Sequence, residues 1–143
     1  MTVAQHPGSE RKFWRNMSVT KVILTTDDYS ATPLQLIACL TGYTIFVQQV
    51  TFAVNVEHAS EAKVEDEAST PVIVAEISAP STEGPFEWPF GEDGFQCTEG
   101  KDLNYRNSGA GMGLTVYVQA YMKPTATLVA KAAGFAAADY GTL

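Results

Sequence analysis

Between Tyr43 and His58 the large apolar residues fall on alternate positions, and the alternation changes phase once. Ile45 and Val47 share one parity, and beyond Gln48-Gln49 the set Val50, Phe52, Val54 and Val56 shares the other. Period-two alternation marks a strand with one face buried, because successive side chains point to opposite sides of the pleat. A change of parity within one strand predicts a β-bulge at the glutamines, where one extra residue re-aims everything after it.

The neighbouring segments read the same way. Strands are predicted at Lys21 to Thr25, Leu34 to Leu40, Tyr43 to His58, Pro71 to Ser78, Thr82 to Phe90, Gly94 to Thr98, Asp102 to Arg106 and Met112 to Met122. Between them stand turn-forming stretches: Asp27-Asp28, Thr41-Gly42, Ala79-Pro80, Gly91-Glu92-Asp93-Gly94, Glu99-Gly100-Lys101 and Asn107-Ser108-Gly109. Short strands at this spacing predict an all-β antiparallel sandwich, with eight strands in two four-stranded sheets. In the last strand Leu114, Val116 and Val118 alternate with Thr115, Tyr117 and Gln119, which predicts an aliphatic inner face and a mixed outer one. Glu57 to Ser69 carries Glu57, Glu61, Glu65, Asp66 and Glu67 against Lys63 alone and is predicted to be a solvated polar loop.

The chain has 143 residues, 45% of them hydrophobic and 17% charged, which suits one domain with a full core. The expected organisation is an N-terminal arm at 1–20, a sandwich at 21–123 and a C-terminal arm at 124–143. The net charge of −7 is unevenly spread. Arg11, Lys12, Arg15 and Lys21 against Glu10 make the first 21 residues +3, which leaves −10 on the rest. An acidic body repels phosphates, so nucleic acid is excluded as its partner. Charges at Glu10, Arg11 and Lys12 occupy the place of a secretory signal's apolar core, and no apolar run approaches the ~18 residues of a membrane span. The expectation is a soluble protein made in a cytoplasm, where Asn16-Met17-Ser18 has no route to glycosylation. Cys39 and Cys97 are too sparse for a disulfide scaffold and are expected as buried free thiols.

Candidate chemistry is thin, and no enzyme is expected. Gly109-Ala110-Gly111-Met112-Gly113 opens a strand instead of a helix and lacks the Lys and Ser/Thr of a phosphate loop, so it reads as a hairpin connection. His6 and His58 have no ligand spacing to each other or to a cysteine, no serine sits in a nucleophile elbow, and the acidic run lacks a calcium-loop pattern. Catalytic residues, cofactors and metals are therefore all expected to be absent. Phe86, Trp88 and Phe90 share a parity and are expected to enter the core or a subunit contact, with Pro85 and Pro89 favouring an edge or bulge.

The arms carry the remaining large side chains. Phe13 and Trp14, flanked by Arg11 and Arg15, and Phe135, Tyr140 and Leu143 at the other end have no nearby partners in sequence. Together with Trp88 they are the interface candidates. Burying one such side chain contributes about 1.5 to 3 kcal/mol, which offsets the ordering of an arm only where another surface supplies a groove. The competing reading folds each arm back on its own sandwich.

Four segments, taken in order, carry a resemblance: Leu40-Thr-Gly-Tyr-Thr-Ile-Phe-Val47, Gly84-Pro-Phe-Glu-Trp-Pro-Phe-Gly91, Gly100-Lys-Asp-Leu-Asn104 and Gly113-Leu-Thr-Val-Tyr-Val-Gln-Ala-Tyr121. Over residues 34 to 122 the chain resembles small β-sandwich structural proteins of tailed-phage virions. The resemblance implies a jelly-roll-like fold, a homo-oligomer that is commonly a trimer, and a decoration or cement role on the capsid exterior that clamps neighbouring major capsid protein subunits. It implies no catalytic positions. The basic aromatic N-terminal arm and the Ala-rich C-terminal arm depart from it. A receptor-binding or fibre-tip domain, binding glycans through Trp88, is the alternative within virions; a small hydrolase or ligand-binding sandwich is the alternative outside them.

Overall fold

The computed structural model describes residues 15–78 and 80–125. They form nine strands: β1 Arg15–Ile23, β2 Leu34–Ile37, β3 Tyr43–Val56, β4 Glu61–Asp66, β5 Ile73–Ser78, β6 Phe86–Pro89, β7 Phe95–Gln96, β8 Leu103–Asn107 and β9 Gly113–Pro124. One sheet runs β1-β9-β3-β6, with β7 also pairing on β3, and the other runs β2-β8-β4-β5. All pairings are antiparallel.

This order is that of a jelly roll. Leaving β7 aside, the first strand pairs with the last, β2 with β8, β3 with β6 and β4 with β5, as in one long hairpin. Rolling that hairpin sets β9 beside β3 and β8 beside β4, which divides its strands between two facing sheets. The inward positions of both sheets share one core, including Ile45, Val47, Val50, Phe52, Leu114, Val116 and Val118 from the first and Val64, Ala75, Leu103 and Tyr105 from the second.

The expected bulge lies where the parity changes. Val47 faces Ala120 and Gln49 faces Gln119, so Gln48 is the extra residue. That one insertion lets Ile45 and Val47 on one side and Val50 and Phe52 on the other all reach the interior. A second irregularity follows Val54, and Val56, expected inside, is exposed.

Two expectations about elements are corrected. The first strand starts at Arg15 instead of Lys21, because β1 pairs along its whole length with β9, from Arg15 opposite Met122 to Ile23 opposite Leu114. The acidic stretch is not a solvated loop. Residues 61–66 form β4, a central strand between β5 and β8, where Glu65 and Asp66 are buried. Their charges are met there by Arg106, 3.3 Å from Glu65, and by four hydrogen bonds on Asp66.

Candidate attachment surface

The two strands that carry the chain ends lie side by side. Arg15 opens β1 opposite Met122, and β9 ends at Pro124, where Thr125 N–H donates to the Gly42 carbonyl at 2.8 Å. The Thr125 and Thr44 hydroxyls share a hydrogen bond of 2.9 Å. Arg15 and Thr125, the first and last described residues, therefore lie at one pole of the sandwich. Of the interface candidates, Phe13, Trp14, Arg11, Phe135, Tyr140 and Leu143 lie outside the described residues, and Arg15 is placed only as the first residue of β1.

Trp88 is half-buried on β6, opposite Val50. Its ring packs edge-on against Phe52 with centroids 5.6 Å apart, as the shared parity with Phe86 predicts. Much of that ring packs against the core, and the rest remains partly exposed.

The outer face of the β1-β9-β3-β6 sheet is nearly free of charge. Asn16, Ser18, Thr20 and Val22 on β1 lie in register with Tyr121, Gln119, Tyr117 and Thr115 on β9, and these with Phe46, Gln49, Thr51 and Ala53 on β3. Glu87 on β6 borders this field. Within it Val22 is 61% exposed and Tyr117 45%. Nearer the chain ends, Phe46 and Tyr121 stack at 5.3 Å and 11°, with the Lys123 ammonium 4.8 Å from the Phe46 ring.

Other groups have local structural work. His58 Nδ1 lies 2.8 Å from Ser60 Oγ and accepts the Ser60 N–H at 3.2 Å, which closes a turn; Ser60 itself is buried. Cys97 is buried and Cys39 only half-buried; both are free thiols. Burial, with the Asp66 carboxylate nearby, pushes the Cys97 thiol up to about 12. Among the described residues no cluster of three His, Cys, Asp or Glu side chains could hold a metal ion, and no helix is long and apolar enough to cross a membrane.

Neither the protein-family models nor the curated proteins contain a match to this chain. Its functional reading therefore rests on topology and surface chemistry. Sequence reasoning missed the buried pair Glu65 and Asp66 and the amide-rich centre of the outer face. The second had one signal, the Gln48-Gln49 interruption.

Proposed function

We propose that this protein is a structural component of a tailed-phage virion: a capsid decoration protein that binds the shell exterior as an oligomer, a trimer by resemblance, and clamps adjacent major capsid protein subunits. The observation that supports the reading is that Arg15 lies opposite Met122, so the chain enters β1 and leaves β9 at the same end of the sandwich. Arms leaving one pole can engage one underlying surface together. One arm brings Phe13, Trp14 and Arg11, the other Phe135, Tyr140 and Leu143.

Each large apolar side chain buried on a shell contributes about 1.5 to 3 kcal/mol. Once one arm is docked, the other binds at a raised effective concentration, so weak contacts sum to firm attachment. The jelly roll supports the reading as an architecture shared with viral capsid domains, an analogy of fold and not of site. The mechanism is mechanical: shell subunits must shed the clamp before they separate.

Sedimentation of the full chain with purified phage shells, alongside light scattering of the free protein, tests the proposal. The truncation points follow from the strand boundaries: deleting 1–14 or 126–143 spares β1 and β9. Either deletion is expected to lower shell affinity about tenfold or more while the sandwich unfolds at an unchanged midpoint. Full shell occupancy by both truncated chains, or a free monomer with no shell affinity, overturns it.

A further inference from the structure

Two shallow hollows meet at the centre of the outer face. One is lined by Asn16, Met17, Ser18, Gln48, Gln119 and Ala120, the other by Gln48, Gln49, Pro89, Gly91, Glu92 and Gln119, each with about 280 Å³ of space. They share Gln48 and Gln119 and so form one groove across β1, β9, β3 and the end of β6. Tyr117 stands on the same face as Gln119, two residues away on β9 and so about 7 Å along the strand.

We infer that this groove binds a neutral saccharide, a hexose unit held by the Asn16, Gln48, Gln49 and Gln119 amides with the exposed Tyr117 ring beside it. The inference is independent of shell attachment, which uses the arms.

The lining selects the ligand class. Among the described residues no Lys or Arg lines either hollow, so a phosphate or carboxylate finds no counter-charge in this lining. Apolar side chains are few, so a hydrophobic ligand would gain little by entering. What remains is a set of primary amides and a hydroxyl, with donors and acceptors side by side, and the Glu92 carboxylate as an acceptor that disfavours an anion. Neighbouring sugar hydroxyls present the same mixture, and the apolar body of a tyrosine suits the C–H face of a sugar ring.

The site is also held in shape. Gln48 Nε2 donates to the Glu92 carbonyl at 2.9 Å, and Gln49 Nε2 donates to Thr51 Oγ1 at 3.2 Å. Each bond fixes an amide while leaving its Oε1 able to accept. The 91–94 turn that walls the groove is anchored again by Tyr121, whose hydroxyl donates to the Asp93 carbonyl at 2.6 Å. Gly94, at φ +79°, presses so closely on the bulge that an added Cβ would lie 3.0 Å from the Val47 carbonyl oxygen. Wall and floor thus share one scaffold, and little ordering cost is left for binding. The bulge at Gln48 sets this geometry, a common use of bulges beside sites.

The test is a titration of the ¹⁵N-labelled full chain with maltose, lactose and diacetylchitobiose, with glucose 6-phosphate as a charged control. Shifts confined to Asn16, Ser18, Gln48, Gln49, Tyr117 and Gln119, with a Kd of about 1 mM for at least one neutral probe, are expected, as a few neutral hydrogen bonds supply. Gln119→Ala and Tyr117→Ala should each weaken binding up to about tenfold without moving the unfolding midpoint or shell attachment. The inference is overturned if no neutral probe shifts these resonances, if shifts appear elsewhere, or if the phosphate binds equally well. It is overturned too if light scattering shows this face closed by self-association that Gln119→Arg abolishes.

Discussion

Thr98 holds Asp66 twice: its N–H and its hydroxyl both donate to Asp66 Oδ2, at 2.9 and 2.6 Å. Oδ1 accepts the N–H groups of Val72 and Ala68 at 2.9 and 3.2 Å. Asp66 ends β4 in one sheet, and Thr98 follows β7 on the edge of the other, so one carboxylate ties the two layers together. Removing it would strand four part-buried donor groups. Asp66→Ala is expected to cost about 3 kcal/mol and Asp66→Asn about 2 kcal/mol, because an amide accepts at one atom only. Urea unfolding checks this through a lower midpoint at unchanged slope.

Acid should act through the same residue. Burial alone would raise its carboxyl, but the hydrogen bonds from the Thr98 hydroxyl and from Val72, Thr98 and Ala68 N–H outweigh it and hold Asp66 below the usual carboxylate range. A group depressed in the folded state stabilises fully above its unfolded value, about 3.9, and loses that contribution as pH falls through the folded value. Wild-type stability should therefore drop below about pH 4 more steeply than that of Asp66→Asn. Parallel curves for the two proteins would assign the acid sensitivity to other carboxylates.

Tyr105 gives the opposite test. Its hydroxyl is buried and makes no well-formed hydrogen bond among the described residues, with the Asn107 side chain close enough to lower its pKa a little, and burial wins, pushing it up to about 12. Stability tied to a raised folded value is intact below the unfolded one, about 10, and is lost as pH rises from there through about 12. Tyr105→Phe should match or exceed wild-type stability at pH 7, by up to about 1 kcal/mol, since the hydroxyl it removes has no well-formed bond among the described residues. It should also lose less stability in alkali. A drop of about 2 kcal/mol at neutral pH would reveal a partner for that hydroxyl.

Gly111 is expected to tolerate no side chain. Its φ is +124°, and a Cβ there would lie 2.6 Å from the His58 ring, while its N–H donates to Thr25 O at 2.7 Å. Gly111→Ala should cost about 2 kcal/mol from left-handed strain and displacement of the ring. Gly109, in open space, should accept alanine at little cost. Thermal unfolding of the two variants checks the contrast.

The sandwich was legible because its strands announce themselves locally. Ile45, Val47, Val50 and Phe52 encode both burial and bulge, and Leu114, Val116 and Val118 mark β9 as half-buried. β4 was not legible. Five carboxylates between Glu57 and Glu67 read as solvated, and what buries two of them is distant: Arg106 for Glu65, Val72 and Thr98 for Asp66. The start of β1 was obscured because, among the strand's residues of described burial, only Ile23 is fully buried, so its apolar signal is weak beside Phe13 and Trp14 in the sequence. The amide groove draws residues from β1, β3 and β9, and only the rolled topology brings them together.

Pairing of the first strand with the last gives the molecule a polarity. β9 spans about 40 Å at ~3.4 Å per residue, with Pro124 at the end where β1 begins and Gly113 at the far tip. A peptide grafted beside Gly109 would be displayed at that tip, so a foreign epitope could be presented at the opposite end of the sandwich from Arg15 and Pro124.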